Sequence, residues 1–418
     1  MRRKAEIQAR MMRILIVGLN YAPEPIGIGP YTSRLAEYLH ARGHDVEVIT
    51  GNPYYPDWCL AAGYSSEGST AVESGVTVYR VPHYIPENPT GLKRIAHHLS
   101  FARTARKALA EAQRPDLVLA IAPSLLAAPV ALAAAKRFGA RSWLHIQDFE
   151  VEAAIATGLL PEWLANLAGA KLERSIIRRF EWVSAISPAM VRKAKDKGAN
   201  TLQLVELRNW AEESVHPQTH CAPDLRAAWG LSDAPIALYS GNLSLKQGAG
   251  LIAEAARLLN GQSDVQFVVC GAGNAKAQLE HAARDLPNLT IHDLVPRKSL
   301  GELLAMADMH LLPQIAGAAD LVLPSKLTNM LASGRPVIAT ADTGTDLAEE
   351  VSDCGFVTPP DDARLFAEAI AKLAEDAPLR TELGKNAAVR AKQRWSAPVL
   401  LEQFALSLEQ IVREPKTL

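Results

Sequence analysis

Cysteine is scarce: the 418-residue chain holds four, Cys59, Cys221, Cys270 and Cys354, far apart and with no CxxC pair. That spacing argues against a disulfide framework or a structural zinc site and fits a reducing compartment. Bulk charge of one sign is missing too, since 44 Lys and Arg stand against 45 Asp and Glu. A net charge of −1 gives no general attraction to nucleic acid, so an electrostatic partner must be met by a local patch. The first residues, MRRKAEIQARMM, are basic but lack the apolar stretch of a secretory leader. "MRILIV" from Met12 reads as the natural start, with the first eleven residues as a disordered extension. Solenoid repeats, low-complexity tracts and heptads are absent. One long apolar run exists, Leu117 to Ala135, uncharged for nineteen residues and close to the length a bilayer needs. Pro123 and Pro129 interrupt it. It reads as a buried strand, Asp116 to Ala122, turning into an Ala-rich helix capped by Ser124, with Lys136 and Arg137 in the last turn and Gly139 beyond.

What is present is a globular composition, 48% hydrophobic and 21% charged. The length suits two domains of roughly 180 to 200 residues. Short Val/Ile/Leu-rich runs ("RILIVG", "DVEVIT", "DLVLAIA", "RSWLHIQ", "WVSAIS") alternate with helical patterns, and the same grammar restarts at "APIALYSGN", "VQFVVCGAG", "MHLLPQ" and "RPVIATA". Strands buried on both faces with crossover helices mean an α/β fold of parallel sheets, here two Rossmann-like domains facing across a cleft. The expected boundaries are 12–210 for an N-terminal acceptor-side domain, 225–395 for a C-terminal nucleotide-sugar domain, and 396–418 for a final helix packing back on the first. The polar "RNWAEESVHPQTHCAPD" between them reads as a linker about which the domains close.

Open parallel sheets bind ligands at the carboxyl ends of their strands, so the motifs there carry the chemistry. Gly27 and Gly29 follow the first strand, where a turn without Cβ lets the next helix present N–H groups to a phosphate. No full GxGxxG follows that strand and no acidic residue closes the second, which disfavours NAD. "YSGNLSLKQG" ends a strand at Gly241 and brings Lys246 before the next helix, a cation suited to a departing diphosphate. "VVCGAGNAK" adds Gly271 and Gly273, and in "LVLPSKLTNMLASGRPVIAT" Ser325 is placed to cap a helix whose first turn holds Lys326.

The order "PEPIGIGPY", "GHDVEVITGNPYYP", "AISPAM", "RNW", "SGNLSLKQG", "PSKLTNMLASGRPVIA" resembles the retaining glycosyltransferases of family four, with the GT-B fold, from about Met12 to the end. Within them it looks like the WcaI-type branch associated with colanic acid and related exopolysaccharides. The resemblance implies a hexosyltransferase using a nucleotide sugar, suggests GDP-fucose, and points to an acceptor carried on polyprenyl diphosphate at the cytosolic face of the inner membrane. It implies that Gly27 and Gly29 approach the donor phosphates and that Lys246 matches the family's diphosphate lysine. The chain also departs from the family. The arginine usual after the strand-ending glycine is Asn242, and the paired glutamates fall on Leu321 and Asn329. Lys326 is then a candidate for the lost positive charge, and Asn329 for a ribose hydroxyl. The usual His-Asp pair becomes Gln147-Asp148, leaving Asp148 to orient sugar or acceptor, while His145 reads as a packed core residue. Asp148, Phe149 and Glu150 also spell D-x-E, but two lysines and helix termini leave a diphosphate no need of a metal, and none is expected.

Last, "PTGLKRIAHHLSFARTARKAL" carries Lys93, Arg94, Arg103, Arg106 and Lys107 without a carboxylate between Glu87 and Glu111, and Leu92, Ile95 and Leu99 at helical spacing. Such a helix suits an anionic membrane surface and, with it, a lipid-linked acceptor. A sugar-nucleotide epimerase of the same architecture, and a catalytically inactive nucleotide-sugar-binding subunit, remain open as alternatives; an NAD oxidoreductase is more distant.

Overall fold

The computed structural model describes residues 11–25, 27–149, 169–217, 223–243, 248–315 and 323–413. The chain divides into two compact units, one of Met1–Leu207 with Leu401–Leu418 and the other of Arg208–Leu400. The first unit holds strands β1 (Arg13–Gly18), β2 (Asp45–Gly51), β3 (Ser69–Glu73), β4 (Val76–Val81), β5 (Leu117–Ala122), β6 (Arg141–Ile146), β7 (Trp182–Ala185) and β8 (Leu204–Glu206). They form one sheet in the order β3-β4-β2-β1-β5-β6-β7-β8, parallel except for the β3–β4 pair. The second unit holds β9 (Ile236–Asn242), β10 (Gln266–Ala272), β11 (Leu289–His292), β12 (Met309–Leu312), β13 (Val337–Thr340) and β14 (Gly355–Thr358), all parallel, in the order β11-β10-β9-β12-β13-β14.

The continuous apolar strands follow from burial on both faces. Along β9, Ile236 and Leu238 enter one core cluster while Ala237 and Tyr239 enter another on the opposite side of the sheet. Helices cover these faces. Helix α1 (Gly29–Ala41) buries Thr32, Leu35, Ala36 and Leu39, a stripe at helical spacing, and the chain leaves it through Gly43 at φ +90. Each sheet reverses its winding once, at β1/β5 in the first unit and β9/β12 in the second, and the carboxyl ends of those strands are where an open α/β sheet takes its ligand.

The apolar run is strand and helix as its sequence implies, and two other expectations, a cap and a linker, are corrected. The apolar run 117–135 divides into β5, a 3-10 turn Leu125–Ala127 and helix α3 (Ala128–Phe138) ending at Gly139 with φ +68. Among the described residues no helix is long and apolar enough to cross a membrane. Ser124 makes no capping bond, because its hydroxyl lies instead 3.3 Å from His98 Nδ1. The stretch from Arg208, read as a linker, packs into the second unit, since Trp210, Ala211 and Val215 are buried and the Ala211 N–H donates to the Trp395 carbonyl at 2.9 Å. Apolar residues interleaved among its charges explain that anchoring.

The last helix, Ala397–Arg413, buries Leu401, Phe404, Ala405, Leu408 and Ile411. Glu402 accepts from the Tyr38 hydroxyl at 2.6 Å and pairs with Arg42, which also donates to Glu409 at 2.9 Å. Its Phe404 ring meets His145 edge-on at 5.0 Å, all within the first unit.

Candidate functional site

In the second unit the candidate site grows from the carboxyl end of β9. Tyr239 is fully buried; its hydroxyl donates to the Asn242 carbonyl at 2.6 Å and accepts from Lys326 Nζ at 2.9 Å. The ammonium also lies 4.3 Å from the centre of the Tyr239 ring. Burial lowers the Lys326 pKa to about 8, so the amine is held at the edge of ionisation. Lys326 comes from the first turn of the helix Ser325–Ala332, as the sequence implied, but Ser325 is that helix's first residue and not its cap. The N-cap is Pro324, whose ring has no acceptor to offer the first N–H groups, and no side chain bonds there. Asn329 has a structural partner: its Oδ1 accepts from the Glu212 N–H at 2.8 Å.

The glycines of this site are accounted for by protein atoms. A Cβ at Gly241 would stand 3.2 Å from Lys326 Nζ; at Gly271 it would stand 2.2 Å from the Gly241 carbonyl oxygen, and at Gly273, where φ is +148, 2.2 Å from that of Leu243. The ends of β9 and β10 thus interlock backbone on backbone, with the Leu243 N–H donating to Ala272 and the Ala275 N–H to Leu243. Lys246 and Leu321 lie outside the described residues.

In the first unit the turn after β1 leads into α1. Gly27 has φ +74 and its missing Cβ makes room for the Tyr55 ring at 3.3 Å, while a Cβ at Gly29 would meet the Tyr21 carbonyl at 3.0 Å and Glu24 Oε2 at 3.2 Å. No side chain caps α1, its first turn has no acid, Pro30 at its start carries no N–H, and the Tyr31 N–H donates to the Ile28 carbonyl at 3.1 Å. Asp148 stands half-buried just past β6, beside Gln147, and Phe149 packs under Lys193 and Lys197 at 5.3 and 5.2 Å. Glu150 is outside the described residues. His145 is a core residue as read: its Nδ1 lies 2.8 Å from Ser184 Oγ, and burial pushes its pKa down to about 3. Among the described residues no group of three or more His, Cys, Asp or Glu is placed to hold a metal ion.

Helix α2 (Gly91–Ala108) carries the basic patch. Leu92, Ala96, Leu99, Arg103 and Arg106 form one exposed stripe, Leu92 at 79% and Leu99 at 51%, with Lys93 and Lys107 exposed beside it. Arg94 instead turns back, 5.8 Å over the Trp58 ring. The buried face supplies what sequence reasoning missed, a ring cluster of Tyr54, Trp58, His83, His97 and His98 with centroids 4.7 to 5.3 Å apart. Burial keeps these imidazoles neutral, His83 lowered to about 4 and His98 to about 3. "HH" in a basic segment gave no hint of this, and neither did Glu24, a single acid in a glycine-proline turn.

Residues 27–210 match the family model described as a glycosyl transferase 4-like domain, and residues 222–390 that of glycosyl transferases group 1. Over 350 residues the chain is 41% identical to the putative colanic acid biosynthesis glycosyl transferase WcaI of Escherichia coli K12, covering 81% of this chain and 85% of that one. It is 22% identical to the N-acetyl-alpha-D-glucosaminyl L-malate synthase of Bacillus anthracis over 96% of this chain and 98% of that one. Among solved structures, sucrose-phosphate synthase from Thermosynechococcus elongatus superposes with a TM-score of 0.70 at 16% identity, covering 96% of this chain and 99% of that one. Anabaena HepE, in complex with UDP, gives 0.67 at 17% identity over 96% of this chain and all of that one. These likenesses establish the fold, and the relatives favour a transferase over an epimerase.

Proposed function

The chain belongs to the family-four glycosyltransferases with the GT-B fold, and on that premise we propose that it moves a sugar from a nucleotide donor to a lipid-linked saccharide, with retention at the anomeric carbon, during exopolysaccharide assembly. The 41% identity to a colanic acid biosynthesis transferase supports the exopolysaccharide setting, and GDP-fucose as donor rests on the sequence resemblance alone. The neighbour crystallised with UDP is consistent with a nucleotide-sugar donor.

The observation that carries this reading is the desolvated ammonium of Lys326 at the end of β9, 2.9 Å from the Tyr239 hydroxyl. A cation in a low-dielectric setting stabilises charge far better than one in water, and a leaving nucleoside diphosphate gains charge as the glycosidic bond breaks. Lys246 and the turn amides around Gly241, Gly271 and Gly273 share that task, while the turn before α1, with Gly27 and Gly29, is the first unit's own candidate for a donor phosphate. No divalent metal is then required. The acceptor hydroxyl forms the new bond to the anomeric carbon on the face the diphosphate leaves, and its proton passes to the departing phosphate oxygen. The protein supplies placement, with Asp148 orienting sugar or acceptor, and stabilisation of the leaving charge. The α2 stripe, apolar at Leu92 and Leu99 and basic at Arg103, Arg106 and Lys107, rests on an anionic bilayer and brings the site to its lipid-borne acceptor at the cytosolic face of the inner membrane.

The test is incubation with a panel of GDP- and UDP-sugars, with and without membranes from a polysaccharide-producing host. Nucleotide released only when membranes are present, with labelled sugar in the lipid fraction, is the expected result. Conversion of a nucleotide sugar without any acceptor, or no release from any donor, would refute the reading.

A further inference from the structure

We propose that Glu24 is a positioning residue whose carboxylate clamps the glycine turn before α1 to the segment that follows β2. The residue is 4% exposed, and both of its oxygens are taken by protein donors. Oε1 accepts from the backbone N–H groups of Tyr54 and Tyr55, each at 3.2 Å, and Oε2 accepts from Asn20 Nδ2 at 2.9 Å. The same Asn20 amide lies 3.4 Å from the Tyr54 hydroxyl, so side chain and backbone of that segment are held together. Glu24 also forms the floor under Gly29, where a Cβ would stand 3.1 Å from Glu24 Cβ, and Tyr55 forms the wall beside Gly27.

One carboxylate therefore ties the end of β1, the entry to α1 and the loop after β2. Backbone N–H bonds to a charged acceptor are roughly twice as strong as neutral ones, and a buried acceptor left unpaired is costly. With both oxygens occupied, Glu24 is not placed to act as base or nucleophile; it acts through the backbone it fixes. Burial raises the Glu24 pKa, opposed by the bonds from Asn20, Tyr54 and Tyr55 and, least, by Arg80 of β4, which donates to the Ala22 carbonyl at 2.7 Å and so adds a second tie to the same turn. The consequence for catalysis rests on the proposed function, in which this turn meets the donor diphosphate.

The experiment uses the full chain and has two readouts. Backbone deuterium exchange follows the peptides covering Asn20–Pro25 and Tyr54–Trp58, and steady-state kinetics follows the nucleotide sugar that the unaltered protein turns over. In Glu24→Gln the new amide confronts Asn20 Nδ2, donor against donor. Exchange in both segments should rise together by about tenfold, and donor KM should rise about tenfold with a smaller change in kcat. The pair Asn20→Asp with Glu24→Gln restores donor to acceptor and should recover most of both. Unchanged exchange in Glu24→Gln, or a double variant as impaired as the single one, overturns the proposal. Should Glu24→Gln fail to fold, Glu24→Asp keeps the charge but falls short of Tyr54 and Tyr55. Lost protection there supports the clamp and retained protection sinks it. If the unaltered protein binds neither GDP nor UDP, the donor reading fails while the exchange result still decides the clamp.

Discussion

At Lys326 burial and function pull on the same amine. Removing it from water lowers its pKa to about 8, so it is a cation below that pH and neutral above it. A bound diphosphate needs the cation, so affinity for GDP or UDP should fall as pH rises through about 8. Lys326→Arg, which stays charged, should flatten that profile in titration calorimetry; a profile that rises with pH would contradict the assignment. Asn329 sits one turn further along the same helix, and beside the ribose contact expected of it its carbonyl oxygen holds the Glu212 N–H. Asn329→Ala should cost about 1 kcal/mol in urea unfolding, the usual worth of one such bond. Residue chemistry of this kind was only half legible. A lysine in the first turn of a helix is visible in sequence, but the tyrosine that desolvates it lies 87 positions away.

Elements were read more securely than residues, because period and punctuation are local. Strand runs buried on both faces, the Gly139 stop after α3 and the basic face of α2 all follow from neighbours in sequence. Two caps differ from the sequence pattern: the Ser124 hydroxyl meets His98 of α2, a tertiary alternative, and the helix at Ser325 starts one residue earlier than the pattern places it, with Pro324 as its N-cap. The glycine turns suit a phosphate by local pattern, whereas their close approaches to Tyr55, Glu24, Leu243 and Gly241 are tertiary and could not be read from neighbours in sequence. For α2 the prediction concerns the stripe as a whole. Arg103→Glu with Arg106→Glu reverses two charges at about 1 kcal/mol per basic residue, and should weaken co-sedimentation with phosphatidylglycerol vesicles at least tenfold, an effect fading as salt is raised. Leu92→Ser with Leu99→Ser should weaken binding without that salt dependence. Equal binding by all three proteins would remove α2 from the membrane contact.

For the whole molecule, the two-domain α/β plan was legible because the strand-helix alternation restarts after the polar stretch at Arg208. What sequence did not reveal is that this stretch is anchored, through Ala211 and Val215, in the second unit's core. The last helix is integral to the first unit: Leu401, Phe404, Leu408 and Ile411 are buried, and Glu402 and Glu409 pair with Tyr38 and Arg42. A chain ending at residue 400 should therefore lose the first unit's cooperative unfolding while the second unit still unfolds cooperatively, as calorimetry would read. Retention of both transitions would contradict that assignment. The central claim, that a nucleoside diphosphate is gripped at the end of β9 by Lys326, is tested most directly by titrating GDP and UDP into the unaltered protein and into Lys326→Ala. The expected result is measurable binding of at least one nucleotide by the former and about 100-fold weaker binding by the latter; equal affinity in the two proteins would contradict it.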